Sequence, residues 1–108
     1  MLPYVAGLCG LDIGCGEGQN TRLVARRGAR MTAMDIAATF LAYARRTEDE
    51  EPLGIAYQCA SAVSLPFPDA SFDFAMATMS FMDMPEHEKV VSEAYRVLKP
   101  GEIGRAHV

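Results

Sequence analysis

Short apolar runs alternate along the chain with amphipathic stretches, a pattern that predicts strand–helix units feeding a parallel sheet. Residues 8–13 form an apolar run closed by the glycine cluster Gly14-Cys15-Gly16-Glu17-Gly18, and residues 19–27 have helical composition up to a stop at Gly28. A second apolar run, residues 31–34, ends at Asp35. Phe40, Leu41 and Ala44 then recur at helical spacing until the acidic run 48–51 and Pro52 break the pattern. Residues 55–59 read as a third strand, and a loop with Pro66, Pro68 and Asp69 follows. Residues 72–78 are almost continuously apolar, as in a strand buried on both faces, and this fourth strand reads as the most central. Val90, Val91, Ala94, Val97 and Leu98 make one helical stripe, with Glu86 and Glu88 near the positive end of that helix and Lys99-Pro100-Gly101 terminating it. The tail from Glu102 is too short and mixed for another full β–α unit. About four strands and three helices are expected, an α/β fold with a mainly parallel sheet and helices on both of its faces.

Composition narrows the class. A chain of 108 residues is one domain, with surface-to-volume scaling allowing a single core and little reserve. Ten basic and 14 acidic side chains give a net charge of −4 with no basic stripe, which speaks against a nucleic-acid partner. The N-terminus has neither a charged leader nor an apolar run near the ~20 residues a membrane span needs, so no membrane association and a cytoplasmic location are expected. Cys9, Cys15 and Cys59 are odd in number and match no disulfide or zinc spacing, so they read as free thiols.

In a parallel sheet, ligands bind beyond the carboxyl ends of the strands near the topological switch point, and the glycine cluster lies there. Asp12, Asp35, Ser61 and Thr78 are expected to line the same edge. The spacing is G-x-G-x-G, not the dinucleotide fingerprint G-x-G-x-x-G, since Gln19 occupies the later glycine position. Asp12 before the turn and Glu17 inside it disfavour a pyrophosphate and suit a cationic or zwitterionic ligand. Cys15 reads as a small residue in a tight turn, not a nucleophile, because no histidine is adjacent to activate it.

The segment Leu11-Asp12-Ile13-Gly14-Cys15-Gly16-Glu17-Gly18 resembles the first motif of the class I S-adenosylmethionine-dependent methyltransferases, in the branch that includes ubiquinone/menaquinone-biosynthesis enzymes. Three more segments resemble that family in the same order: Asp35 after the second strand, the run from Leu65-Pro66-Phe67 to Asp73, and Arg96-Val97-Leu98-Lys99-Pro100-Gly101. The resemblance implies a Rossmann-like fold of seven strands, of which residues 1–108 carry the first four or so, without the far strands or the usual N-terminal helical segment. It implies S-adenosyl-L-methionine as cofactor and a small-molecule methyl acceptor. Gly14, Cys15, Gly16 and Gly18 would pack against the methionine portion, with Asp12 near its ammonium. Asp35 would receive the ribose hydroxyls, Ile36 would lie along the adenine, and Ser61, Ala62 and Thr78 would complete the site. Ser61-Ala62 stands where relatives often have Asp-Ala, which weakens an adenine contact by about 1–2 kcal/mol. Ala37-Ala38 replaces a helix-opening Ser-Pro. Residues 79–84 and His87 are the candidates nearest an acceptor. No residue is assigned a catalytic role, since displacement at a sulfonium carbon needs positioning more than acid–base chemistry. Two other readings compete: a fragment that pairs with another chain along the edge of its fourth strand, and a nicotinamide-dinucleotide-binding oxidoreductase domain.

Overall fold

A computed structural model describes residues 4–77 and 86–100, together with the backbone of residues 106–107. The chain runs β1 (Cys9–Ile13), α1 (Gln19–Ala25), β2 (Arg30–Asp35), α2 (Ala38–Glu50), β3 (Ala56–Cys59), β4 (Phe74–Ala77), α3 (His87–Val97) and β5 (Ala106–His107). The sheet order is β3-β2-β1-β4-β5 and every pairing is parallel. The order reverses beside β1, so the strand that leads into the glycine cluster is the middle one, not the fourth strand. The tail adds the two-residue β5, which lies against Ala75 and Met76 on the side of β4 expected to be an open edge.

Period-two alternation in the strands separates two apolar layers. On one face Leu11, Ile13, Met34, Ala75 and Ala77 pack with Val90, Ala94 and Val97 of α3. On the other, Met31, Ala33 and Phe74 pack with Leu41 of α2, Ile55 and Cys15. The helices thus cover both faces, as expected. Gly10 is needed inside β1 because a Cβ there would stand 2.2 Å from the Phe74 ring and 2.8 Å from the Met31 sulfur. Gly28 closes α1 with φ +100°, and its N–H donates to the Ala25 carbonyl. Pro100 disfavours helical backbone at Lys99, and Leu98 has already turned extended.

Two side-chain clusters fix the helices to the sheet. Buried Arg22 of α1 pairs with Glu48 at 2.8 Å and donates to the Glu51 carbonyl at 2.6 Å. The other oxygen of Glu48 accepts the N–H groups of Leu53, Gly54 and Ile55, which carry the chain into β3. On the opposite face Arg96 of α3 binds Glu93 and Asp69, each at 2.7 Å, and donates to the carbonyls of Phe67 and Leu65.

Candidate functional site at the strand ends

The turn after β1 uses glycine where the backbone demands it: φ is +74° at Gly14, +58° at Gly16 and +90° at Gly18. Side chains with a Cβ avoid this left-handed region by about 1–2 kcal/mol per residue. Gly18 has a packing reason as well, since a Cβ there would lie 2.8 Å from the Tyr57 hydroxyl and 3.3 Å from the Ala44 methyl. Gly16 is different. Nothing lies within 4 Å of the Cβ it lacks, so the space above it is open.

The amides of this turn face inward. Gly14 and Cys15 both donate to the Met34 carbonyl at 2.9 Å, Gly16 donates to Asp35 Oδ2 at 2.8 Å, and Gly18 donates to the Cys15 carbonyl at 3.0 Å. A phosphate-binding glycine loop presents its N–H groups to the anion. Here those four are engaged with the protein itself, which leaves the turn fewer donors to offer a pyrophosphate.

Beside the turn lies an open cleft of about 630 Å³, lined by Gly14, Cys15, Gly16, Glu17, Gln19, Asn20, Asp35 and Phe40. Asp35 takes part in its wall while its other oxygen, Oδ1, accepts the Ala37 N–H at 2.8 Å and so steadies the entry to α2, whose own Ala37 offers no side-chain cap. Asp12 sits behind the turn, fully buried, with Oδ2 accepting the Thr21 hydroxyl at 2.5 Å and Oδ1 buried without a partner. Burial pushes its carboxyl up to about 6; the Thr21 bond opposes this, and the Asp35 charge adds to it. The Cys15 thiol is pushed up to about 12, first by burial and then by Asp12 and Asp35, so it stays protonated and is a poor nucleophile, in keeping with its reading as a turn residue.

The expected edge is only partly assembled around this cleft. Gly14, Cys15, Gly16 and Asp35 line it, whereas Asp12 and Gly18 support it from behind. Ile36 is 74% exposed next to Asp35. Ser61 lies two residues past the end of β3, where its Oγ accepts the Val63 N–H at 3.3 Å; neither it nor Ala62 is among the residues lining the cleft. Thr78 and residues 79–84 lie outside the described residues, and His87 opens α3. Sequence reasoning missed Gln19, Asn20 and Phe40 as cleft residues. The first two follow directly on the glycine turn, and Phe40 stands in the first turn of α2, five residues after Asp35, so closeness along the chain was the available signal.

A family model described as a methyltransferase domain matches residues 11–104, most of the chain. The chain belongs to the methyltransferase-domain family. Among curated relatives, it is 37% identical to demethylmenaquinone methyltransferase from Thermus thermophilus, over 84% of this chain and 42% of that protein. It is also 37% identical to 27-O-demethylrifamycin SV methyltransferase from Amycolatopsis mediterranei, over 94% of this chain and 38% of that one. The fold matches the S-adenosylmethionine-dependent methyltransferase from Mesorhizobium loti with a TM-score of 0.82 at 31% identity, covering 93% of this chain and 46% of that one. It matches the cyclase SpnF with a TM-score of 0.84 at 38% identity, covering 90% and 37%. This methyltransferase domain thus spans about two fifths of the relatives it matches, and the shared portion occurs in proteins named for different reactions.

Within the methyltransferase domain, the two motif segments farther along the chain do not line the cleft. Arg96 clamps the 65–69 loop, Glu93 Oε1 accepts the Leu65 N–H at 2.7 Å, and Phe67 meets Phe72 edge-to-face at 5.3 Å. Asp73 accepts the Cys9 N–H at 2.8 Å and pairs with Lys99 at 3.1 Å, while the Lys99 N–H donates to the Phe72 carbonyl. Those segments brace the starts of β1 and β4 against the end of α3.

Proposed function

We propose that the chain is the S-adenosylmethionine-binding portion of a methyltransferase that acts on a small-molecule acceptor. The observation that carries this reading is the cleft beside the glycine turn, with a carboxylate in its wall and the Gly14, Cys15, Gly16 and Gly18 N–H groups bonded within the protein. When bound, S-adenosylmethionine supplies an electrophilic methyl group on a sulfonium. The residues present fit such a ligand. The open space above Gly16 admits it, Asp35 offers carboxylate oxygens for the ribose hydroxyls, and the unpartnered Oδ1 of Asp12 adds negative potential behind the methionine end. Gly14, Cys15 and Gly18 shape the turn against that end, and exposed Ile36 supplies an apolar edge for the adenine. The acceptor class rests on the relatives, whose names specify a demethylmenaquinone and a demethylrifamycin.

An amide-correlation NMR titration of the chain with S-adenosylhomocysteine, run beside one with NADH, tests the proposal. Saturable shifts centred on Gly14, Gly16 and Asp35 are expected with the first ligand. They should disappear in Gly16→Val, which fills the open space, while the spectrum stays dispersed. Tighter binding of NADH would overturn the reading.

A further inference from the structure

Three consecutive amides of the glycine turn, those of Gly14, Cys15 and Gly16, are held by the last two residues of β2: two by the Met34 carbonyl and the third by Asp35 Oδ2. The first two bonds need only a backbone and form with any residue at position 34. The third needs a side-chain acceptor of the right length at position 35. Asp35 spans the gap at 2.8 Å, and its second oxygen is anchored in turn on the Ala37 N–H at 2.8 Å. The carboxylate is thereby fixed between the turn and the start of α2, with one bond on each oxygen. Gly16 has φ +58° and no neighbour within 4 Å of its missing Cβ, so side-chain packing does not hold it there.

We propose that Asp35 is a positioning residue for the glycine turn, fixing Gly16 through its N–H in addition to any direct contact with a ligand. The ligand arm of this inference rests on the function proposed above; the structural arm does not. The consequence is a division of labour within one carboxylate. Each oxygen has a second lone pair, so a ligand's hydroxyls can be received without breaking the tether. Loss of the side chain should therefore harm binding even of ligands that have no hydroxyl to offer it.

The test uses the 108-residue chain and its Asp35→Ala and Asp35→Asn variants. In the free protein, hydrogen exchange at the Gly16 N–H should accelerate by roughly tenfold or more in Asp35→Ala, consistent with a lost charge-assisted bond. The Gly14 and Cys15 amides, bonded to Met34, should change less. Asp35→Asn retains a carbonyl oxygen and should fall between the two. Unchanged Gly16 exchange in both variants overturns the proposal whatever the ligand. Affinity is then compared for S-adenosylhomocysteine and its 2′,3′-dideoxy analogue. A positioning role predicts that Asp35→Ala weakens both ligands, whereas a role confined to ribose recognition would leave the dideoxy analogue unaffected. If the parent chain binds neither ligand, the function proposed above fails while the exchange result still decides the tether.

Discussion

Asp12 concentrates the tension of the site in one side chain. It is fully buried, one oxygen satisfied by Thr21 and the other not, and Asp35 lies close enough for their charges to repel. Its carboxyl is raised from 3.8 to about 6 in the folded chain. Between those values the folded state holds more protons than the unfolded one, so this group's contribution to stability is most favourable below the unfolded value and is lost as pH rises through about 6. That is the reverse of Asp73, whose carboxyl is lowered, chiefly by the Cys9 N–H, and favours folding once ionised. Asp12→Asn removes the titration. Denaturant unfolding of parent and variant from pH 4 to pH 8 should therefore show the variant gaining on the parent by up to about 3 kcal/mol as pH rises, most of it between 4 and 6. A difference independent of pH would mean that burial leaves the Asp12 carboxyl at its unfolded value. A residue this unfavourable at neutral pH fits a site whose negative potential is used by a ligand.

At the scale of elements, the strands and helices were legible in the sequence because each is a local matter. Short apolar runs marked the strands, helical spacing marked the helices, and the glycines of the turn fall where φ is positive. The contacts that lock the elements together were not legible, since they join residues far apart in the chain. Arg22 and Glu48 are 26 residues apart, and Arg96 reaches the Leu65 carbonyl across 31. Nothing in the local sequence singles out Arg22, yet it is 4% exposed. Arg22 ties α1 to the end of α2, and Glu48 carries that tie on to three amides before β3. Arg22→Met leaves the Glu48 carboxylate half-buried without its cation and should destabilise the chain by about 3–5 kcal/mol. Glu48→Gln, which keeps an acceptor for those amides, should cost less than Glu48→Ala. In a double-mutant cycle, Arg22→Met with Glu48→Ala should lose at least about 1 kcal/mol less than the sum of the single losses. Additive losses would show that the two side chains stabilise the chain independently.

Across the whole molecule, charge and topology act together on the cleft. The reversal of strand order beside β1 opens the sheet at the glycine turn, and the chain that frames this opening is acidic, −4 overall. Glu17 and Asp35 line the cleft and Asp12 stands behind it, while the Gly14, Cys15, Gly16 and Gly18 amides are bonded within the protein. Among its described lining residues there is no lysine, arginine or histidine. The resulting potential should separate two ligands of nearly the same shape, S-adenosylmethionine and S-adenosylhomocysteine, which differ by a methyl group and one positive charge. Only the charge is subject to screening, so salt distinguishes its contribution from shape. Raising ionic strength from about 0.02 M to about 0.5 M, which shortens the screening length from roughly 20 Å to roughly 4 Å, should weaken the sulfonium ligand relative to the thioether by about two- to fivefold. Calorimetric titration of both ligands at each salt concentration measures the ratio directly. Asp12→Asn should flatten its salt dependence, because it removes one of the three charges while leaving the cleft lining intact. A ratio that stays constant with salt would mean that the carboxylates are neutralised within the site and that fit alone, not field, selects the ligand.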